Sequence, residues 1–131
     1  YGVTERVKMK GEVLHAILCH HSAEDPLTTE AGVIRIADAL DMERGRSRIP
    51  YEQGWRGINT ISSQAIERVT LLEGETAPVL VEISMRNAAG VYQVDGLLKD
   101  KLEGSGLEEE VRIVAVNQTG GDDQLVERIE L

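Results

Sequence analysis

The fold is decided by residues 79–103, which read VLVEISMRNAAGVYQVDGLLKDKLE. Every second residue of the first eight is apolar, which is typical of a strand with one buried face. This inward set comprises Val79, Val81, Ile83 and Met85. From residue 88 the apolar spacing changes to three and four, which predicts a helix over 88–103. Its apolar side chains are expected to pack on one face of the strand; they are Val91, Val94, Leu97, Leu98 and Leu102.

Further strands are predicted on both sides of this unit. Residues 65–72 predict a strand before it, and residues 110–117 predict a buried strand after it. Residues 119–122 predict a turn, and residues 124–131 predict a last strand. Gly104 and Gly106 are expected to end the helix. The order β-β-α-β-β predicts a four-strand sheet, antiparallel or mixed, with the helix on one face.

Two helices are predicted before the sheet, over 7–22 and 30–44, and Gly11 raises the alternative that the first begins only there. Their apolar stripes are expected to pack against each other; the stripes are Val13/Ala16/Ile17/His20 and Val33/Ile36/Ala37/Leu40. Residues 45–64 predict a long connection pinned by Trp55 and Ile58. The fold class is therefore α+β, with a helical part over 1–60 and a sheet domain over 61–131.

Composition narrows the functional classes. The chain has 131 residues, of which 41% are hydrophobic and 3% aromatic with no Phe, so we expect a folded protein with an aliphatic core. No apolar run approaches the roughly 20 residues of a membrane span. The single cysteine favours a reducing compartment, and we expect the cytoplasm. The chain begins at Tyr1 without a signal-peptide pattern, and we expect further sequence upstream.

The formal net charge of -9 lies almost entirely in the second part of the chain. Residues 1–60 hold 8 Lys and Arg against 9 Asp and Glu, whereas residues 61–131 hold 6 against 14. An acidic surface repels nucleic acid and anionic lipid at long range. We therefore expect no nucleic-acid or membrane partner for the sheet domain, whose acidity also serves solubility.

A small polar cluster carries the chemistry that the sequence suggests. His20 and His21 are adjacent near a helix end, and Asp38 lies among the apolar residues of the next helix. Neutral imidazoles and a carboxylate bind Zn, Mn or Fe. The alternative is a buried structural His beside a surface His. A buried carboxylate needs a compensating metal, Arg or backbone cap, since its burial alone costs several kcal/mol.

Residues 13–44, VLHAILCHHSAEDPLTTEAGVIRIADALDMER, resemble the C-terminal half of an HD-superfamily metal-dependent phosphohydrolase domain. That family holds its metal in a helical bundle with an early His, a His-Asp pair and a late Asp in an ADxL-like helix. Residues 37–40 match this helix, which implies that Asp38 is a metal ligand. His20 and His21 resemble the His pair of two-metal HD-GYP relatives, although a Gly-Tyr-Pro triplet is absent.

The resemblance covers about a quarter of the chain and departs from the family at one point. No His-Asp pair occurs in the 131 residues, so the missing ligands are expected upstream of Tyr1. The resemblance implies hydrolysis of a phosphate ester or anhydride, such as a nucleotide, by a metal-bound water. It implies a divalent Mn, Fe, Zn or Mg in the full-length protein and no tightly bound metal in this chain. Asp38 is then expected to face His20 or His21, or to accept from an imidazole or Arg.

Two further interpretations stay open. Arginine forks suit phosphate oxygens, and Arg44, Arg46 and Arg48 follow the Asp38 helix, although they can equally complement the dipole at the helix C-terminus. The second functional hypothesis is a non-catalytic regulatory or dimerisation module. A sheet with one helix leaves a face uncovered, which the helical part, a small ligand or, preferably, a second copy of the chain would cover.

Overall fold

The computed structural model describes residues 2–21, 24–43, 57–117 and 128–130. The helices before the sheet are α1 (Val3–Cys19), α2 (Thr29–Leu40) and α3 (Ile58–Ser63). The sheet contains β1 (Ile66–Glu73), β2 (Val79–Met85), β3 (Val111–Asn117) and β4 (Arg128–Glu130), with helix α4 over 88–102 between β2 and β3. The predicted α+β class, a helical segment followed by a β-β-α-β-β unit, is confirmed.

The four strands follow the order β1-β2-β3-β4 in a mixed sheet. The β1–β2 and β3–β4 pairs are antiparallel, whereas β2 and β3 are parallel. A parallel pair needs a crossover that returns the chain to the starting edge, and α4 provides it. The predicted turn at 119–122 and the first part of the predicted last strand lie outside the described residues.

The core lies between α4 and the inner face of the sheet. Val81, Ile83 and Met85 are at most 1% exposed, as the alternation in β2 predicts. The facing residues Val94 and Leu98 are fully buried. Leu102 is also buried, and Val91 and Leu97 are half-buried, so none of the five predicted contact residues is exposed. The predicted packing of this helix on β2 is therefore confirmed.

Helix α4 is less regular than the sequence predicts. It joins a 3-10 turn (Ala88–Gly90), a short α-helical piece (Val91–Gln93), a π-helical turn (Val94–Leu98) and a final α-helical turn (Lys99–Leu102). A π turn widens the helix by about one residue, which apolar spacing does not reveal. Asn87 begins the helix by accepting a hydrogen bond from the Ala89 N–H through its side chain, at 3.0 Å.

The predicted interface between the first two helices is wrong in the faces it assigns. Helix α1 begins at Val3, before Gly11, but its Val13 and Ile17 are 55% and 56% exposed. On α2, Val33 is 49% exposed and Ala37 is also exposed. The buried face of α2 instead comprises Ala31, Gly32, Arg35 and Ile36. Apolar spacing identified amphipathic helices correctly, but α2 turns a different face to the body because α4 and its following turn cover that side.

Close backbone contact attaches α2 to the turn that follows α4. A Cβ at Gly32 would lie 2.3 Å from the carbonyl oxygen of Ser105, so only glycine fits there. Gly104 and Gly106 have φ of 75° and 76°, a left-handed conformation that other residues adopt rarely. The buried Ser105 hydroxyl accepts from the Leu107 N–H at 3.0 Å and helps hold this turn.

The predicted connection over 45–64 is wrong at its end, where α3 forms. Ser62 of α3 is buried, and its hydroxyl accepts a 2.7 Å hydrogen bond from the Gln93 amide on α4. The remainder of that prediction, including Trp55, lies outside the described residues. Ile36 and Met42 share one buried cluster with the sheet and α4, although they precede the predicted boundary at residue 60. That boundary stays a prediction.

Candidate functional site

The two adjacent histidines lie just beyond the C-terminal end of α1. Their ring centroids are 3.9 Å apart with the ring planes tilted by 39°. The His20 Nδ1 atom lies 2.5 Å from the carbonyl oxygen of Ile17. Because a carbonyl only accepts, this contact places the proton of a neutral ring on Nδ1 and leaves Nε2 with a lone pair. That is the tautomer in which a histidine binds a metal through Nε2.

The Asp38 carboxylate is paired with an ammonium group from the sheet domain. Lys101 Nζ on α4 donates to Asp38 Oδ2 at 2.5 Å, and the two side chains are 17% and 32% exposed. Lys101 supplies a compensating partner for Asp38, and lysine was not among the partners that the sequence suggested. Lys101 was missed because it lies 63 residues away and no local pattern connects the two.

The predicted metal ligands are only partly brought together. His20 and His21 contact each other, whereas Asp38 forms an ion pair with Lys101. Within residues 2–21, 24–43, 57–117 and 128–130, no three His, Cys, Asp or Glu side chains form a group that could hold a metal ion. Any metal site using these residues therefore needs further ligands or a movement of Asp38.

The predicted phosphate contacts Arg44, Arg46 and Arg48 lie outside the described residues. A different arginine, Arg35, is 3% exposed on α2 and was not singled out from the sequence. Its guanidinium donates to the carbonyls of Glu24 and Asp100 at 3.4 and 3.5 Å and lies 3.6 Å from the Asp25 carboxylate. Arg35 therefore joins the loop before α2 to the end of α4.

A chain of hydrogen bonds around Cys19 closes the connection between α1 and α2. The Leu27 N–H donates to His15 Nε2 at 3.0 Å, so the proton of the neutral ring lies on Nδ1. His15 Nδ1 lies 3.4 Å from the Cys19 sulfur, which donates to the Asp25 carbonyl at 3.7 Å. Cys19 is 3% exposed, which suits a structural thiol. The spacing of four residues between His15 and Cys19 was the available signal.

Replacing His15 by alanine should lower the free energy of unfolding by about 1 kcal/mol, because the Leu27 N–H and the Cys19 sulfur both lose a partner. Urea unfolding followed by circular dichroism measures the change. His21→Ala is the matched control, since His21 is exposed and its loss should stay within about 0.5 kcal/mol. Equal effects of the two substitutions would show that the His15 contacts do not stabilise the loop.

The turn after α4 binds a carboxylate of its own. Glu108 Oε1 accepts from the Gly104 N–H at 2.7 Å. The Glu108 N–H, and then those of the turn residues before it, hold the pKa of this carboxyl below its ordinary value of 4.5. Its small contribution to stability is therefore present above that value and is lost as the pH falls through the lowered pKa. The Gly104-Ser105-Gly106 turn therefore binds the carboxylate of Glu108, a residue of the same chain.

The sheet face opposite α4 is polar where it forms a depression. This open depression has a volume of about 490 Å³ and is lined by Glu67, Arg68, Thr70, Glu82 and Ser84. A polar face is stable in water without a cover. The depression offers little apolar surface that a second copy would need to cover. The predicted dimer through the sheet therefore stays a prediction.

The chain is similar to a protein from a methanogenic archaeon. The chain is 40% identical over 115 residues to an uncharacterized protein of Methanocaldococcus jannaschii, and the match covers 88% of this chain. It covers 44% of that relative, so the chain spans less than half of the relative's length. No family model matches the chain. No solved structure matches it either. Among the described helices, none is long and apolar enough to cross a membrane.

Proposed function

We propose that this chain is part of an HD-type metal-dependent phosphohydrolase, which acts in the cytoplasm on a phosphate ester or anhydride such as a nucleotide. Residues 1–60 would be the C-terminal part of its HD-like helical domain, and residues 61–131 a small α+β domain fused to it. The proposal rests on the similarity of residues 13–44 to that family. It applies to a longer protein, in which upstream helices supply the early His and the His-Asp pair. The 44% coverage of the archaeal relative is compatible with a longer protein of this kind.

The structural observation that supports the proposal is the ion pair of the Asp38 carboxylate. This carboxylate lies half-buried on the ADxL-like helix and is already matched to a cation, the Lys101 ammonium. A divalent metal would provide a stronger counter-charge at the same oxygen atoms, and carboxylate oxygens suit Mn, Fe, Zn and Mg. The bond to the Ile17 carbonyl leaves His20 Nε2 able to bind a metal or to accept from a phosphate-bound water.

The chemistry divides between the metal and the side chains of this chain. A divalent metal held by Asp38 would supply an activated water as the nucleophile near neutral pH. Asp38 would hold the metal through an oxygen, and His20 and His21 would act as ligands or phosphate contacts. The arginines of the following segment, Arg44, Arg46 and Arg48, would bind phosphate oxygens and neutralise charge that develops on the leaving group.

Metal analysis of the longer protein, with one variant at Asp38 and a control variant at Asp41, tests the proposal. We expect stoichiometric Mn, Fe or Zn in the unmodified protein, and loss of both the metal and nucleotide hydrolysis in Asp38→Asn. Asp41→Asn removes an exposed carboxylate one turn further on, so it should retain metal and activity. A protein that holds no metal, or an Asp38→Asn variant that retains it, would contradict the proposal.

A substitution on the partner side separates metal binding from structural support. Lys101→Met removes the same ion pair as Asp38→Asn but leaves the carboxylate, so metal affinity should be retained or increased. If Asp38 only stabilised the fold, the two variants would lower stability equally and neither would change metal content selectively. Isothermal titration with MnCl₂ alongside urea unfolding measures both quantities.

The second candidate function is a non-catalytic regulatory or dimerisation module, in which the sheet binds a partner or a second copy. The polar depression over β1 and β2 supports it, because its side chains offer both charges to a ligand. The absence of stoichiometric metal from the longer protein would favour this candidate over the hydrolase.

A further inference from the structure

Helix α1 turns its apolar side away from the rest of the chain. Seven of its apolar side chains are between 51% and 72% exposed: Val3, Val7, Met9, Val13, Leu14, Ile17 and Leu18. The side of the helix that meets the rest of the molecule carries His15 and Cys19, which contact the loop before α2. The amphipathic pattern of α1 is thus oriented opposite to what burial within this chain would require.

Four of these residues form a straight stripe along the helix, and Gly11 lies near its midpoint. At about 100° per residue, the side chains of residues 3, 7, 14 and 18 fall within an arc of about 60°, and residue 11 adjoins it. A Cβ at Gly11 would meet no described atom of the chain within 4 Å. Glycine inside a helix costs about 1 kcal/mol against alanine, and it allows another backbone to approach closely.

The stripe reads the same in both directions along the helix. Its spacings are four, seven and four residues, so its midpoint lies between Lys10 and Gly11. A symmetric contact between two identical antiparallel helices requires such a pattern, because each residue meets the counterpart of its mirror position. In this arrangement Val3 meets Leu18 of the second copy, and Val7 meets its Leu14. Lys10 lies over Gly11 of the second copy, where the missing side chain leaves room for the lysine stem.

We propose that α1 is the contact surface between two copies of this chain, packed antiparallel through Val3, Val7, Gly11, Leu14 and Leu18. The four apolar residues of the stripe are 60% to 72% exposed and present on the order of 450 Å² per copy, which suits an interface at the small, weaker end of the usual range. The contact uses no residue of the candidate metal site. It also differs from the predicted dimer through the sheet.

The oligomeric state of the 131-residue chain tests this directly. Sedimentation equilibrium should show a dimer at micromolar concentrations, and Leu14→Glu should weaken it by about 100-fold or more because two copies of a central contact are lost. Leu27→Glu is the matched control, since Leu27 is 86% exposed and lies outside α1. A chain that stays monomeric at 100 μM, or a dimer that Leu14→Glu does not weaken, would overturn the proposal.

Cysteine cross-linking tests the antiparallel register. Val7→Cys and Leu14→Cys should form an intermolecular disulfide when the two variants are mixed under mild oxidation, and neither should form one alone. Native Cys19 is 3% exposed, so the unmodified chain serves as the background. Efficient cross-linking of Val7→Cys with itself would indicate a parallel pair and would overturn the arrangement. A dimer with no cross-link in the mixture would overturn it equally.

Discussion

Replacing Gly32 by alanine should destabilise the protein by about 3 kcal/mol, at the upper end of the usual range for overpacking. The added Cβ would lie 2.3 Å from the Ser105 carbonyl oxygen and 3.4 Å from its carbon. Neither atom can rotate away, because both belong to the backbone of a turn that the left-handed conformations of Gly104 and Gly106 define. Helix α2 must therefore move away from this turn, and we expect a lower urea midpoint at an unchanged slope.

The same substitution at Gly11 is the control for this prediction. Gly11 also lies inside a helix, but a Cβ there meets no described atom within 4 Å. Gly11→Ala should raise stability by up to about 1 kcal/mol through helix propensity. Both variants should be measured at high dilution, so that contact between copies does not contribute. If alanine raises the free energy of unfolding at both positions, α2 does not approach the turn as closely as described.

Replacing Leu98 by alanine should cost about 2–5 kcal/mol, the range for truncating a fully buried leucine. Leu98 is 0% exposed and belongs to the cluster that joins α4 to the inner face of β2 and β3. The lost methyl groups leave a cavity that the surrounding strands can fill only partly, because hydrogen bonds on both sides hold β2 in place. Thermal or urea unfolding measures the change.

Leu27→Ala provides the matched control, with the same atoms removed from a residue that is 86% exposed. Its effect should stay within about 0.5 kcal/mol. A Leu98→Ala variant that is destabilised no more than Leu27→Ala would contradict the packing of α4 on the sheet.

Alternation predicted β2 well, and apolar spacing predicted α4 well, because each of these two elements has one dominant buried face. In β2 the buried residues are the ones that the alternation selects, and α4 supplies the opposing apolar row. The parallel pairing of β2 and β3 was left open by the sequence, since the same strands can also pair antiparallel. The π turn at Val94–Leu98 was missed because its hydrogen bonding has no compositional signature.

The first two helices were correctly predicted as helices that contact each other, but the faces assigned to that contact were wrong. Apolar spacing shows that a face avoids water, and it does not show which element covers that face. On α2 the decisive contact is a glycine against a backbone carbonyl, which hydropathy ignores. On α1 the apolar face remains exposed in the chain, so the expected packing of Val13 and Ile17 against α2 failed.

In the candidate site, contacts between residues close in sequence could be predicted, whereas contacts between distant residues could not. The need for a cation at Asp38 could be predicted from its apolar surroundings, but its lysine partner lies on an element far along the chain. The pairing of His15 with Cys19 was accessible, since residues four apart on a helix are neighbours. The contacts of buried Arg35 join the loop before α2 to α4 and could not be found without the fold.

The approach of Gly32 to Ser105 sets an order of events while the protein is being made. The β1–β2 hairpin can form as soon as both strands have left the ribosome, because its partners are near neighbours in sequence. Helix α2 can pack only after the turn that contains Ser105 has been synthesised, about 70 residues later. Synthesis of these residues takes roughly 4–15 s at ordinary rates. During this interval Ile36 and Met42 lack their final neighbours. Chaperones that bind short apolar segments therefore have their longest opportunity on the helices that precede the sheet, α1 and α2.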